Sequence, residues 1–483
     1  MKTLYFTEAP FVEINGEVTM NNRCWQERKA LGVSSHTVCV RVMVMAIFLA
    51  WPVIVGRAET RRANVEPPAL PPTLPNGKTV ATFSSYELLE PPFSLQNVTV
   101  AQTPPVVDFL YYPGQNYEGH PWSNWGDGVA TPGKYYSAIG DHKAPDGNAY
   151  VYEYDTTTKT LKKIVDLREL LNVPEGQYSP GKIHSRIDMG KDGWLYFSTH
   201  RGSTRVTTDE YGYEGDWIVR HNPETSTTEI VAHGPVGKHC IPCSVLDPDR
   251  LIFYGGTTAG DRADTRHLFF AYDIAHHKLL YRGENGPGRY MLFSRSAHRV
   301  YFTSGLAGPV FRYDPGRDAH PRELDVEIGV RAATKETPQG YIYTVSKDDP
   351  MICRFDTATE KVDRIGSASI GTQTYITTID ADPTGRYLYY VPGAHGGSER
   401  DGSAIVQFDV RTKSRKVIAF LHPILKRRLG YTPLGTFSTA LSPSGETLYI
   451  TWNGNLGGVR RGRLTWDACA LAVVHVPPSE RIP

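Results

Sequence analysis

Two histidines and two basic residues frame one short stretch of this chain: Lys182-Ile183-His184-Ser185-Arg186-Ile187-Asp188-Met189, then Gly190-Lys191-Asp192-Gly193, then Trp194-Leu195-Tyr196-Phe197-Ser198-Thr199-His200-Arg201-Gly202. The pattern predicts an antiparallel hairpin. Ile183 to Met189 is the first strand and Trp194 to Ser198 the second, with Lys191-Asp192-Gly193 as the turn because glycine accepts φ > 0. Such a hairpin sets the start of its first strand beside the end of its second. His184 and His200 should therefore meet at one end, with Lys182 and Arg201 beside them. Imidazoles exchange protons near neutral pH, and cationic side chains hold anions, so the group suits acid–base chemistry on an anionic substrate. The plain alternative is a scaffold hairpin whose imidazoles only bond to nearby backbone.

What positions these residues is a repeat. Aromatic-rich phrases ending in Asp or Asn recur: Val151-Tyr152-Glu153-Tyr154-Asp155, Trp217-Ile218-Val219-Arg220-His221-Asn222, Phe269-Phe270-Ala271-Tyr272-Asp273, Val310-Phe311-Arg312-Tyr313-Asp314, Ile352-Cys353-Arg354-Phe355-Asp356 and Ile405-Val406-Gln407-Phe408-Asp409. Before each lies a second strand of the type Gly193-Trp194-Leu195-Tyr196-Phe197 or Arg386-Tyr387-Leu388-Tyr389-Tyr390. Units begin near Lys134, Lys182, Gly237, Gly288, Val330, Gln373 and Thr436, at a period of about 40 to 60 residues. The expectation is an all-β chain: a seven-bladed β-propeller of four-stranded antiparallel blades, with six or eight blades as the alternative counts. The last unit has room for about three strands and ends in Ala470-Leu471-Ala472-Val473-Val474-His475-Val476. A strand from before Lys134 should complete it; Ser94 to Ala101 and Val106 to Tyr112 both read as strands.

In a propeller the first strand of each blade lines the central channel, and the loop after the second strand opens on the same face as the first strand's start. Those loops are long at Arg201 to Asp216, Gly256 to Arg266, Gly393 to Ser403 and Asn453 to Trp466, whereas the turns on the other face are short. The mouth on the long-loop face then gathers His184, His200, Tyr290 and Tyr375 as candidate catalytic groups. Lys182, Arg201, Lys238, Arg289, Arg331, His395 and Trp452 are candidate substrate contacts. A cationic, aromatic mouth focuses anions. It also suits β-elimination from a uronate sugar: a cation neutralises the carboxylate, His184 or His200 removes the C5 proton, and Tyr290 or Tyr375 protonates the leaving oxygen. No clear carboxylate pair stands there for glycoside hydrolysis, although Glu399 and Asp401 occupy a mouth loop. A nucleophile elbow and a phosphate-binding loop are both absent.

Composition bounds the rest. The chain has 483 residues with 52 Lys plus Arg and 51 Asp plus Glu, so no nucleic-acid footprint shows in its charge. Arg23, Arg28, Lys29 and Arg41 precede an apolar run from Val42 to Val55 and a small-residue Gly56-Arg57-Ala58 site. Residues 1–58 therefore read as an export signal region, and a retained anchor is the alternative. Cleavage implies a secreted or periplasmic protein without a stable membrane span. Residues 59–93 read as a Pro-rich linker, and 94–483 as the propeller, a monomer. His239, Cys240 and Cys243 form a His-Cys-x-x-Cys group that could hold a divalent metal, close a local disulfide or do neither.

The stretch from Lys182 to Gly202, within the seven-unit pattern, resembles exported bacterial propeller proteins of planctomycete type. The plan is similar to that of the propeller polysaccharide lyases, the ulvan lyases and the oligogalacturonate lyases. The ulvan-lyase resemblance implies His, Tyr and Arg working at the channel mouth without a catalytic metal. The oligogalacturonate-lyase resemblance implies a Mn²⁺ held by His and Gln, for which His184, His200, His239, His395 and Gln373 are the matching residue types. Across these readings the divalent metal would be Zn, Mn or Ca. Together they imply an exported carbon–oxygen lyase acting on an acidic polysaccharide or oligosaccharide. The competing classes are a non-catalytic binding or scaffold propeller and a metal-dependent lactonase or hydrolase.

Overall fold

Seven antiparallel sheets, six of four strands and one of four with a fifth added at its edge, are arranged as the blades of a β-propeller. The computed structural model describes residues 69–117 and 122–481. The export-signal reading of residues 1–58 and the first part of the linker reading fall outside the described residues. The inner strands are Val129–Thr131, Asp188–Met189, His239–Asp247, Leu292–Ser294, Ala332–Ala333, Ile376–Ala381 and Thr432–Leu441. Among the described residues no helix is long and apolar enough to cross a membrane.

The repeated aromatic-Asp phrase has a local cause. In the first six blades the third strand ends at or just before an Asp or Asn that folds the turn into the outer strand. Asp155 Oδ1 accepts the backbone N–H groups of Thr157 and Thr158 at 2.8 and 2.9 Å. Asn222, Asp356 and Asp409 accept the N–H groups two and three residues on in the same way. These are Asx turns, in which a short side chain replaces a backbone acceptor.

The ring closes with an early strand. Val106–Tyr111 pairs antiparallel with Ala468–His475 as the outer strand of the seventh blade. Phe109 is fully buried there, edge-on to Tyr111 and Tyr431 at 5.2 and 5.1 Å. Asp108, also fully buried, accepts from Thr82 Oγ1 at 2.5 Å and meets Lys159 Nζ at 2.8 Å and His475 Nε2 at 3.1 Å.

Three expectations are corrected. Residues 59–93 are not linker throughout: Ala81–Phe83 adds a fifth strand against Val106–Tyr111, and Leu88 and Leu89 are buried. Ser94 to Ala101 is not a strand; Phe93–Leu95 is a single 3₁₀ turn, and only Val100 bridges to Val417. Lys134 does not open the first blade's inner strand. That strand is Val129–Thr131, and Lys134–Gly140 is the second.

The opening hairpin is also shorter than its sequence suggests. Only Asp188–Met189 is regular strand on its first side. A bridge pairs Lys182 with His200, and between the two ends the Ser185 hydroxyl stands in for ladder groups. It accepts from Ser198 N at 3.0 Å and donates to Ser198 O at 3.2 Å. The inner strands of the third, sixth and seventh blades carry register shifts toward the same mouth. Such irregularities re-aim side chains next to binding sites.

Candidate functional site

Trp125 organises the mouth. It lies ahead of the first blade's inner strand, where the bridge from Ser123 to Gly140 repeats the bridge from Lys182 to His200. Trp125 thus occupies in blade 1 the place His184 occupies in blade 2. Its chain passes close to its neighbour, since a Cβ on Gly126 would lie 2.1 Å from the Ser185 carbonyl oxygen. Asn453 clamps the segment by accepting from Asn124 N at 2.7 Å and donating to Asn124 O at 3.1 Å. Residues from four blades converge on the indole. His142, His184, His395, Phe437 and Trp466 have ring centroids 4.7–6.1 Å away, and Lys182 Nζ lies 4.4 Å over its face.

His184 and His200 come together as expected, with ring centroids 5.1 Å apart, but their hydrogen bonds give them different capacities. His184 Nδ1 lies 3.0 Å from Pro242 O, which can only accept, so the proton is on Nδ1. Nε2 then accepts from Arg289 Nη1 at 2.8 Å. His184 has no lone pair to spare, so the expectation that it acts as a base gives way to a role in aiming Arg289. His200 Nδ1 donates to Arg201 O at 2.8 Å, which leaves the Nε2 lone pair free. Burial and nearby cations hold both imidazoles well below their usual range, hence neutral at pH 7.

The cations here go unpaired. Lys182, Arg201, Arg289 and Arg331 have no carboxylate at ion-pair distance among the described residues. Arg201 Nη1 donates to Ala259 O and to the Cys240 thiol, and Arg331 Nε donates to the Tyr375 hydroxyl at 2.6 Å. Burial, then Arg289 and Arg201, bring the Lys182 amine down to about 7. Burial and the Arg331 charge bring Arg289 down to about 10. His395, stacked near Tyr375 at 4.6 Å, is lowered to about 4, first by burial and then by Arg331. This is an electropositive site in which these four cations have no ion-pair partner among the described residues.

Beneath Trp125 a small chamber of about 20 Å³ is lined by His184, Arg289, Arg331, Phe437, Asp127 and Arg186, among others. Toward the short-turn face a second cavity, of about 380 Å³, is lined by Asp127, Arg186, Tyr290, Lys335 and Asp380. Carboxylates accompany the cations there: Arg186 Nε pairs with Asp188 at 3.4 Å, and the Tyr290 hydroxyl donates to the Asp127 carboxylate. Burial pushes Asp127 up to about 7.

Four other expected roles are redirected. Tyr290 lines both the chamber and the second cavity, but its hydroxyl donates to the Asp127 carboxylate, so its proton is engaged there and not offered at the mouth. Trp452 is 0 % exposed in the core of the closing blade and offers no sugar platform. Lys238 sits on the rim, where Asp209 at 2.7 Å and Glu214 at 2.9 Å hold it to the Arg201–Asp216 loop. Asp401 anchors its own loop, accepting from Gln373 N and Thr372 Oγ1 at 2.9 and 3.0 Å.

A metal at the expected residues does not fit. Cys240 and Cys243 are free thiols on opposite sides of a register shift. They are buried in different core clusters, and desolvation pushes each up to about 12. Cys240 Sγ is already engaged by Arg201 and Tyr213, and His239 Nδ1 lies 3.0 Å from Thr257 Oγ1. The His/Gln alternative fails as well. His184 Nε2 is occupied, Gln373 Nε2 donates to Thr372 Oγ1, and unpaired guanidiniums would repel a cation. Asp247, Asp249 and His298 do lie close together, but Arg250 and Arg295 already pair with the two carboxylates.

The residues that sequence reasoning missed are Trp125, Phe437, Trp466 and Asp127. The signal for Trp125 was present: it precedes its second strand as His184 precedes Trp194, but assigning Lys134 to the inner strand hid it.

No family model matches the chain, and no curated protein matches it in sequence. A chain from a solved structure described as "Crystal Structure of Mitotic Checkpoint Complex" is similar at 11 % identity and a TM-score of 0.47, covering 80 % of this chain and 95 % of that one. A likeness at that level carries no argument about function.

Proposed function

We propose that the protein is an exported lyase that opens uronate-containing saccharide chains by β-elimination at the long-loop mouth of its channel. The observation that carries this reading is His200, a neutral imidazole with a free Nε2, set among cations that have no carboxylate partners. Lys182 and Arg201 would neutralise the sugar carboxylate, which acidifies the proton at C5. His200 Nε2 would take that proton as the C5–H electrons form the C4–C5 double bond and the C4–oxygen bond breaks. Tyr375 would protonate the departing oxygen: its hydroxyl accepts from Arg331, so its own O–H is free to donate. Trp125 and Trp466, 5.6 Å apart, offer faces for the sugar rings. Export is supported by the apolar run at residues 42–55 and the small residues after it.

The test is absorbance near 235 nm during incubation with a panel of uronate polysaccharides. Activity should appear with at least one of them. His200→Ala should lower it about 10²- to 10⁴-fold, the usual worth of a general base, with substrate affinity retained. Full activity in His200→Ala would refute the assignment. A second reading, a non-catalytic receptor for acidic sugars, is favoured by the narrow space under Trp125. Saturable binding without any absorbance change would select it.

A further inference from the structure

We propose that a small monovalent anion, chloride in ordinary solution, resides in the chamber beneath Trp125 between Arg289 and Arg331. This goes beyond the elimination reading and stands whether or not the protein is a lyase.

Arg331 is only 4 % exposed, yet among the described residues its guanidinium meets no carboxylate at ion-pair distance. Its Nε is used by Tyr375, and its plane lies 5.0 and 5.8 Å from the rings of Tyr375 and Phe437. Arg289 spends one N–H on His184 and otherwise faces the same chamber. An ion buried without a partner is strongly unfavourable, so such groups recruit a counter-charge.

The charge count sets the valence. Of the charged groups lining the chamber, Arg186 is offset by Asp188 at 3.4 Å. Arg289 and Arg331 contribute two positive charges, and Asp127 at most one negative. Asp127 Oδ2 receives the Tyr290 hydroxyl, and its buried Oδ1 has no partner. When protonated, Oδ1 becomes a donor instead of a repelling charge. At least one positive charge therefore remains. The space, about 20 Å³ for the centre of a water-sized guest, admits one such guest, since a water needs roughly 10–15 Å³ on this measure. The residual single charge and the small space favour a halide over the doubly charged sulfate or phosphate. The tip of a substrate carboxylate has the same chemistry, and the experiment separates the two.

The full chain, exchanged into sodium methanesulfonate, is titrated with NaCl or NaBr at constant ionic strength, and thermal unfolding is followed. The midpoint should rise with halide concentration and with the law of a single site. At 100 times the dissociation constant the folded-to-unfolded ratio should be about 100-fold higher. Iodide should quench tryptophan emission with a saturable component from Trp125. Arg331→Met should abolish both effects. If that variant does not fold, Arg289→Met and a bromide anomalous peak in wild-type crystals decide the matter. Coincident halide and methanesulfonate curves, or bromide scattering absent from the space between Arg289 and Arg331, would overturn the proposal. So would galacturonate stabilising the chloride-free protein while chloride alone does nothing, because the chamber would then be a carboxylate seat.

Discussion

Replacing Asp108 with Asn tests how the ring is held shut. Asp108 lies in the closing strand, fully buried, with Thr82, Lys159 and His475 around its carboxylate. Burial alone would raise its pKa, but the hydrogen bonds from His475, Lys159 and Thr82 outweigh it and hold the group well below the usual 3.8. Asn keeps the shape and the Thr82 contact but loses the charge. Hydrogen bonds to charged groups are each worth roughly 1.5–3 kcal/mol. The side chains of Lys159 and His475 are 43 % and 42 % exposed and can turn to water, so each bond is discounted to about 1 kcal/mol. The expected loss is about 2 kcal/mol at pH 7, read from urea unfolding followed by tryptophan fluorescence. Because the folded-state pKa is depressed, the wild-type advantage is complete above the unfolded value of 3.8 and is lost as pH falls below it. The wild-type and Asp108→Asn curves should therefore begin to draw together near about pH 4 and still be converging at about pH 2, meeting only in stronger acid. A difference under about 0.5 kcal/mol at pH 7, the yield of an ordinary surface substitution, would refute the reasoning. So would a gap that persists undiminished in acid.

Two further outcomes follow from the site. An acidic sugar bound beside Lys182 should raise its amine from about 7 toward its ordinary value, so binding should take up protons at about pH 8 and far fewer at about pH 6. Calorimetry in two buffers of different ionisation heat measures this, and Lys182→Met should remove it. The thiols of Cys240 and Cys243 should resist aromatic disulfide reagents in the native protein, and metal analysis should find no stoichiometric zinc; rapid native labelling would contradict their burial.

The repeat was legible because its signals are local. Alternation along the second and third strands, and an Asp or Asn that folds the next turn, depend only on neighbouring residues. The closing strand was legible because the last unit is one strand short. The inner strands were not legible to the same degree. Asp188–Met189 and Ala332–Ala333 are two residues long, and side-chain hydroxyls or register shifts replace the ladder nearest the mouth. No periodicity marks such segments, which is why Ile183 to Ile187 reads as strand and Lys134 was taken for the first blade's opening. Trp452 illustrates the same limit. Alternation places it on one face of a strand, but both faces of that strand are covered, so face does not imply exposure.

The sequence by itself determined the repeat, its strand order, and the pairing of His184 with His200, because a tight turn carries that pairing; the closed ring settled the count at seven. The sequence also placed the basic residues at one mouth. Only the tertiary structure decided which of them are free. Hydrogen-bond partners come from other blades: Pro242 and Arg289 occupy His184 and leave His200 open, Tyr375 takes Arg331, and Asp127 engages the Tyr290 hydroxyl. Each partner lies more than 40 residues away along the chain, so proton position, burial and the unpaired charge of the mouth exist only once the ring has closed.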